Sequence, residues 1–124
     1  MTTKRVLVVD DEPNILEIVA LCLQRLGGWE AVTASSGQEA LRLVRTERPD
    51  AIVLDVMMPE MDGFTFLKYL RADPITQAIP VVLLTGKSHF PNQHLFPQLG
   101  IVQTIPKPFE AVELVQEIAK VLGW

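Results

Sequence analysis

A chain of 124 residues suits one compact domain and is too short for two. With 48% hydrophobic and 21% charged residues it can close a core, which excludes a disordered chain. A formal net charge of −4, with no run of Lys and Arg, excludes the clustered basic face that nucleic-acid binding needs.

The predicted elements alternate along the whole chain. Val6-Leu7-Val8-Val9 is a continuous apolar run and reads as a first strand. Pro13 suits a first helical turn, and Ile15, Ile18, Val19, Cys22, Leu23 and Leu26 follow at helical spacing until Gly27-Gly28 stops the helix. A weaker strand is expected from Glu30 to Ala34. Ser36 and Glu39 then form a capping box for a second helix through Ala40, Leu41 and Val44. Ala51-Ile52-Val53-Leu54 is the third strand, and a helix carrying Phe66, Leu67 and Leu70 runs from near Asp62-Gly63 to the Asp73-Pro74 break. Val81-Val82-Leu83-Leu84 is the fourth strand. Pro91 and Pro97 interrupt the stretch that follows, so only a short helix starting at Pro91 is expected there. A weaker fifth strand spans Ile101 to Ile105, and a final helix presents Leu114, Val115, Ile118, Val121 and Leu122 on one face. Strands without polar alternation are buried on both faces, so the pattern is a doubly wound α/β domain: a five-stranded parallel sheet with helices on both faces and an irregular fourth helix.

Cys22 is the only cysteine, which leaves no intramolecular disulfide and no thiolate metal cluster. Residues 1–5 carry no apolar signal segment, and no apolar run is long enough for a bilayer. No membrane association is expected, and the cytoplasm is the default location. Trp29 and Trp124 read as packing residues.

In an open parallel sheet, ligands bind beyond the carboxyl ends of the strands. The residues that follow the apolar runs are Asp10, Asp11 and Glu12, then Asp55, then Thr85, then Lys107. Any one of them has an ordinary explanation: Asp11 before Pro13 could cap a helix, Thr85 could sit in a turn, and Lys107 could be a solvated charge. Together on one rim they are hard to explain so. Crowded carboxylates imply a cation or raised pKa values. With no thiolate available, a hard, oxygen-liganded ion such as Mg²⁺ fits, completed by phosphate oxygens. Lys107 would supply a point charge and Thr85 a hydrogen-bond donor to a phosphoryl group.

Four segments carry a resemblance: Val8-Val9-Asp10-Asp11-Glu12-Pro13, Asp55-Val56-Met57-Met58-Pro59-Glu60-Met61-Asp62-Gly63, Leu83-Leu84-Thr85-Gly86 and Lys107-Pro108-Phe109. In this order and spacing the chain resembles the receiver domains of bacterial two-component response regulators, over nearly its whole length. The resemblance implies a flavodoxin-like sheet of order 2-1-3-4-5. It implies Asp55 as phosphoacceptor, and Mg²⁺ held by Asp10, Asp11, the Asp55 carboxylate and the Met57 backbone carbonyl. Lys107 would pair with the phosphate, Thr85 would turn towards it, Gly86 would leave it accessible, and the Lys107-Pro108 bond would be cis. The partners implied are a histidine kinase or phosphotransfer protein and a downstream protein target that the sequence does not name. Such a domain assists only its own phosphorylation and dephosphorylation, and turns over no separate substrate.

The chain departs from the family at Thr104, where an aromatic residue is common. The family's account of a ring swinging inward cannot be carried over unchanged. Phosphorylation is instead expected to act by reordering the stretch from Ser88 to Gly100.

Three rival readings remain. An aspartyl-phosphate hydrolase would carry a second Asp two positions after the nucleophile, where this chain has Met57. A flavin carrier would need a Ser/Thr/Gly-rich loop where Asp10-Asp11-Glu12 stand. A docking module independent of phosphorylation would not need the full acidic set. The domain could stand alone or be excised from a larger regulator.

Overall fold

The computed structural model describes residues 3–55, 63–85 and 96–124. The apolar runs form strands buried on both faces: β1 (Arg5–Val9), β3 (Ala51–Asp55) and β4 (Val81–Thr85). With β2 (Glu30–Ala34) and β5 (Ile101–Pro106) they make one parallel sheet of order β2-β1-β3-β4-β5. This is the doubly wound architecture the alternation predicts.

Side chains alternate across a strand, so each central strand feeds two cores. Val6, Val8, Val53, Val82 and Leu84 face α1 (Pro13–Arg25) and α5 (Ala111–Leu122). Leu7, Val9, Ile52, Leu54 and Leu83 face α2 (Gly37–Glu47) and α3 (Gly63–Ala72). Each of the fully buried Leu, Ile and Phe side chains contributes about 2 kcal/mol by leaving water, so the central strands are fixed by burial on both sides. No helix among the described residues is long and apolar enough to cross a membrane.

The first helix carries its apolar residues at the expected spacing, and only part of them is buried. It buries Leu16, Val19, Cys22 and Leu23, while Ile18 and Leu26 are half exposed. Apolar residues occur all round this helix, so spacing alone does not select the stripe, and Leu16 lies in register with Val19 and Leu23 on the side that reaches the sheet. The second helix starts as expected: Ser36 Oγ accepts from the Glu39 N–H at 3.1 Å, and Glu39 reaches back to the Ser35 N–H at 2.9 Å. The expected helix start at Pro91 lies outside the described residues. Within them α4 (Phe96–Leu99) is a single turn, and Pro97 sits inside that turn instead of breaking it.

Arg71 ties this side of the molecule together. Its guanidinium donates to the carbonyl oxygens of Leu99 (2.6 Å), Gln77 (2.7 Å) and Ile79 (2.7 Å), and more weakly to Thr76 at 3.3 Å. Gly100 follows α4 with φ of +75°, and a side chain there would lie 2.6 Å from the Arg71 Cζ. Only glycine meets both demands. At the far rim, Trp29 and Trp124 pack edge to face at 5.0 Å, with the Lys4 ammonium 5.6 Å from the Trp124 ring centre.

Arg71→Met leaves these carbonyls without a charged donor. It is expected to lower unfolding stability by about 2 kcal/mol, measured by urea denaturation; an unchanged midpoint and slope would show that water replaces the guanidinium without loss.

Candidate functional site

Four carboxyl-terminal strand ends bring the predicted residues to one rim. Asp10 follows β1 and its N–H donates to the Ala34 carbonyl at 3.2 Å, next to the end of β2. Its side chain is fully buried. Asp10 Oδ1 accepts from the Glu12 N–H at 2.9 Å, an Asx-type turn that hands the chain to Pro13 at the start of α1. The N-cap position of α1 is therefore Glu12, which makes no side-chain cap, and Asp11 is not the cap it could have been. Asp55 is the last residue of β3 and Thr85 the last of β4; both are buried. The strands run one residue further than the apolar runs suggest, because Asp55 pairs with Leu84 and Thr85 with Pro106 in the sheet ladder.

Lys107 leaves the end of β5 through a cis bond to Pro108, the isomer the resemblance implies. Its N–H donates to the Thr85 carbonyl at 2.6 Å, which fixes the backbone to the neighbouring strand. The ammonium then reaches across the rim to Asp10 Oδ2 at 3.2 Å and Asp55 Oδ1 at 3.4 Å. Burial pushes the Lys107 ammonium down, but the charges of Asp55 and Asp10 act against it and prevail, so it sits above the usual lysine range. It is fully protonated at neutral pH.

Oxygens of Asp10, Asp11 and Asp55 all lie within 4.8 Å of one another. Three carboxylates thus face one ammonium, and the excess negative charge is held in a largely buried place. This donor set, all hard oxygen, fits a divalent cation of the Mg²⁺ kind. Met57 and Gly86, expected to contribute a carbonyl ligand and access, lie outside the described residues, as do residues 88–95 of the stretch expected to reorder. Thr104 stands half-buried in β5 beside Leu83, and its N–H is held by Gln103 Oε1 at 3.1 Å. Sequence reasoning did not single out the Glu12 amide, although the Asp-x-x-Pro spacing signals such a turn.

The sequence matches the response regulator receiver domain over residues 6–119. It is 39% identical over 119 residues to the alkaline phosphatase synthesis transcriptional regulatory protein PhoP of Bacillus subtilis, an alignment that covers 96% of this chain and 48% of the relative. The chain spans about half the length of the curated relatives it matches. The structure resembles the chemotaxis response regulator CheY4 of Vibrio cholerae, with a TM-score of 0.87 and 33% identity over 97% of this chain and 99% of that one. It also resembles the receiver domain of the sensor histidine kinase PA1611 from Pseudomonas aeruginosa, with a TM-score of 0.85 and 25% identity over 99% and 100% of the two chains; that structure has a magnesium ion coordinated in its active-site cleft.

Lys107→Met takes the ammonium away from two buried carboxylates. In metal-free buffer it is expected to lower stability by about 2 to 3 kcal/mol, with much of the loss recovered on adding Mg²⁺. Urea unfolding in EDTA and in Mg²⁺ measures both effects, and a variant as stable as the parent in EDTA would show that the carboxylates need no ammonium.

Proposed function

The chain belongs to the response regulator receiver domain family, and on that footing we propose that Asp55 accepts a phosphoryl group from a histidine kinase or phosphotransfer protein. One observation carries the reading: an acidic cluster of buried Asp10 and Asp55 and half-buried Asp11, with the Lys107 ammonium set between Asp10 and Asp55. Asp10, Asp11 and Asp55 would hold Mg²⁺, with the Met57 carbonyl as a further ligand; the ion, when bound, neutralises charge on phosphoryl oxygens.

The chain's own residues do the rest. An oxygen of the Asp55 carboxylate attacks phosphorus in line, an O–P bond forms, and the P–N bond of the phosphohistidine breaks with its electron pair returning to the imidazole. Lys107, already protonated, exchanges its Asp55 contact for an oxygen of the arriving group and offsets its charge. The Thr85 hydroxyl at the end of β4 offers a donor to the same group. Asp10 needs no rotamer search, because the Glu12 amide holds one of its oxygens. Water later cleaves the acyl phosphate and restores Asp55. The domain thus acts only on itself and signals by protein-protein contact. We place it in the cytoplasm, where the buried Cys22 thiol stays reduced.

The length of the curated relatives favours a second form of the same reading. They are about twice as long as this chain and carry names of transcriptional regulators, so the domain would serve as the input half of such a protein.

Incubation with phosphoramidate and Mg²⁺ is expected to add one phosphoryl group to the intact protein, seen by mass spectrometry. The adduct should vanish in Asp55→Asn and in EDTA. Labelling that persists in Asp55→Asn would move the acceptor elsewhere and overturn the assignment.

A further inference from the structure

At the rim where the strands begin, the chain leaves an open hollow of about 290 Å³, lined by Thr3, Lys4, Arg5, Arg48 and Asp50. Three cations thus meet one carboxylate there, in a chain whose formal net charge is −4. The bland account of such cations is that the carboxyl end of a helix favours positive charge. Arg5 already fills that part. Its guanidinium donates to the Glu47 carbonyl at the end of α2 at 2.7 Å and pairs with Glu30 at 3.2 Å. Its backbone N–H donates to Asp50 Oδ2 at 2.8 Å, and its Nε–H is buried with no hydrogen-bond partner among the described residues. Lys4 and Arg48 are in excess of this need, and among the described residues neither has an ion-pair partner. The Lys4 ammonium stands over the Trp124 ring, a contact that leaves its N–H donors open. Arg48 follows α2 with φ of 45° and ψ of 62°, the left-handed conformation in which glycine or asparagine is the usual cap. Among the described residues no other non-glycine residue has a positive φ. The backbone there suits glycine better, so the guanidinium is what the arginine adds.

We propose that this hollow binds a small phosphoryl anion, either inorganic phosphate or a phosphate monoester, held by Lys4 and Arg48 with the fixed charge of Arg5 adding to the field. A tetrahedral dianion can offer oxygens to both cations at once, and a planar guanidinium takes two of them through paired N–H bonds. A single carboxylate carries half that charge. The size agrees as well. Small-molecule sites begin at about 300 Å³, and a phosphoryl group with a short ester arm fits a hollow at that limit. The Thr3 hydroxyl belongs to the same lining and offers one more donor. A nucleic acid is the poorer occupant, since it needs a basic face that spans several phosphates, and the hollow offers two free cations. This place is separate from the acidic rim: Lys107, Asp10 and Asp55 gather where the strands end, whereas Arg5 opens β1 at the other end. Binding here is independent of the phosphoacceptor reading of Asp55.

The test follows backbone amide signals of the full chain in EDTA, at constant ionic strength, during titration with inorganic phosphate, glycerol 3-phosphate or acetate. EDTA keeps the acidic rim free of metal, so its carboxylates repel all three anions. Signals of residues 3–5 and 48–50 are expected to move and saturate, with a Kd of about 1 mM for the tighter phosphoryl probe. Acetate should bind at least about tenfold more weakly. A tighter monoester assigns the site to small phosphate esters, and a tighter inorganic phosphate assigns it to the free ion. Arg48→Gly suits the left-handed backbone and so keeps its fold, and it should weaken binding by at least about tenfold. Adding Lys4→Gln should abolish it. Asp50→Asn keeps an oxygen for the Arg5 N–H and removes the opposing charge, so binding should tighten by about threefold. Shifts that never saturate, or that acetate reproduces, overturn the proposal, as does binding that survives in the double variant. A short DNA duplex that moves the same signals at lower concentration than either phosphoryl probe overturns it in favour of a nucleic-acid surface.

Discussion

A lysine ammonium bridging two buried carboxylates is the contact on which the rest of this molecule depends. Asp10 has no exposure to water, Asp55 has almost none, and a charge in such a place is tolerated only when it is paired and hydrogen-bonded. Lys107 pairs with both, and the Glu12 amide takes a further Asp10 oxygen. The balance stays incomplete because Asp11 joins the same cluster. That residual charge turns a structural ion pair into a receptive site. The Asp55 carboxylate is held beside the Lys107 ammonium at the end of a strand fixed on both faces.

The sheet makes this possible at no local strain. β1, β3 and β4 are clamped from both faces by α1 with α5 and by α2 with α3, so their carboxyl ends are held by the whole core. Each reactive group then sits one residue from a fixed backbone. Precision is a property of the strands. The Arg71 guanidinium extends the same order outward by joining α3, the start of β4 and the end of α4 through carbonyl oxygens alone.

Much of this was legible in the sequence, for physical reasons that differ between parts. The strands announced themselves because a segment buried on both faces has no polar alternation. The rim residues were visible because each follows such a run, and the motif resemblance then assigned them roles. What the sequence could not show was the pairing of Lys107 with Asp10 across 97 positions, which exists only once β5 and β1 share a sheet. Which apolar residues of α1 face the sheet was not legible, because Ile18 and Leu21 are apolar and yet exposed. Proline can break a helix or sit in its first turn, and among the described residues Pro97 lies inside the single turn of α4. Thr104 stands in β5. Its surroundings depend on the packing of β5 against α5, which no local pattern encodes.

The indole pair has an optical consequence. Trp29 enters β2 and Trp124 closes the chain after α5, so both chromophores sit at the rim where strands begin, with Lys4 above them. The carboxylates lie at the rim where strands end. Intrinsic emission therefore gauges whether the amino-terminal rim is closed and is blind to ion or phosphoryl occupancy; a dye or an engineered indole near β5 would be needed to see the latter by light.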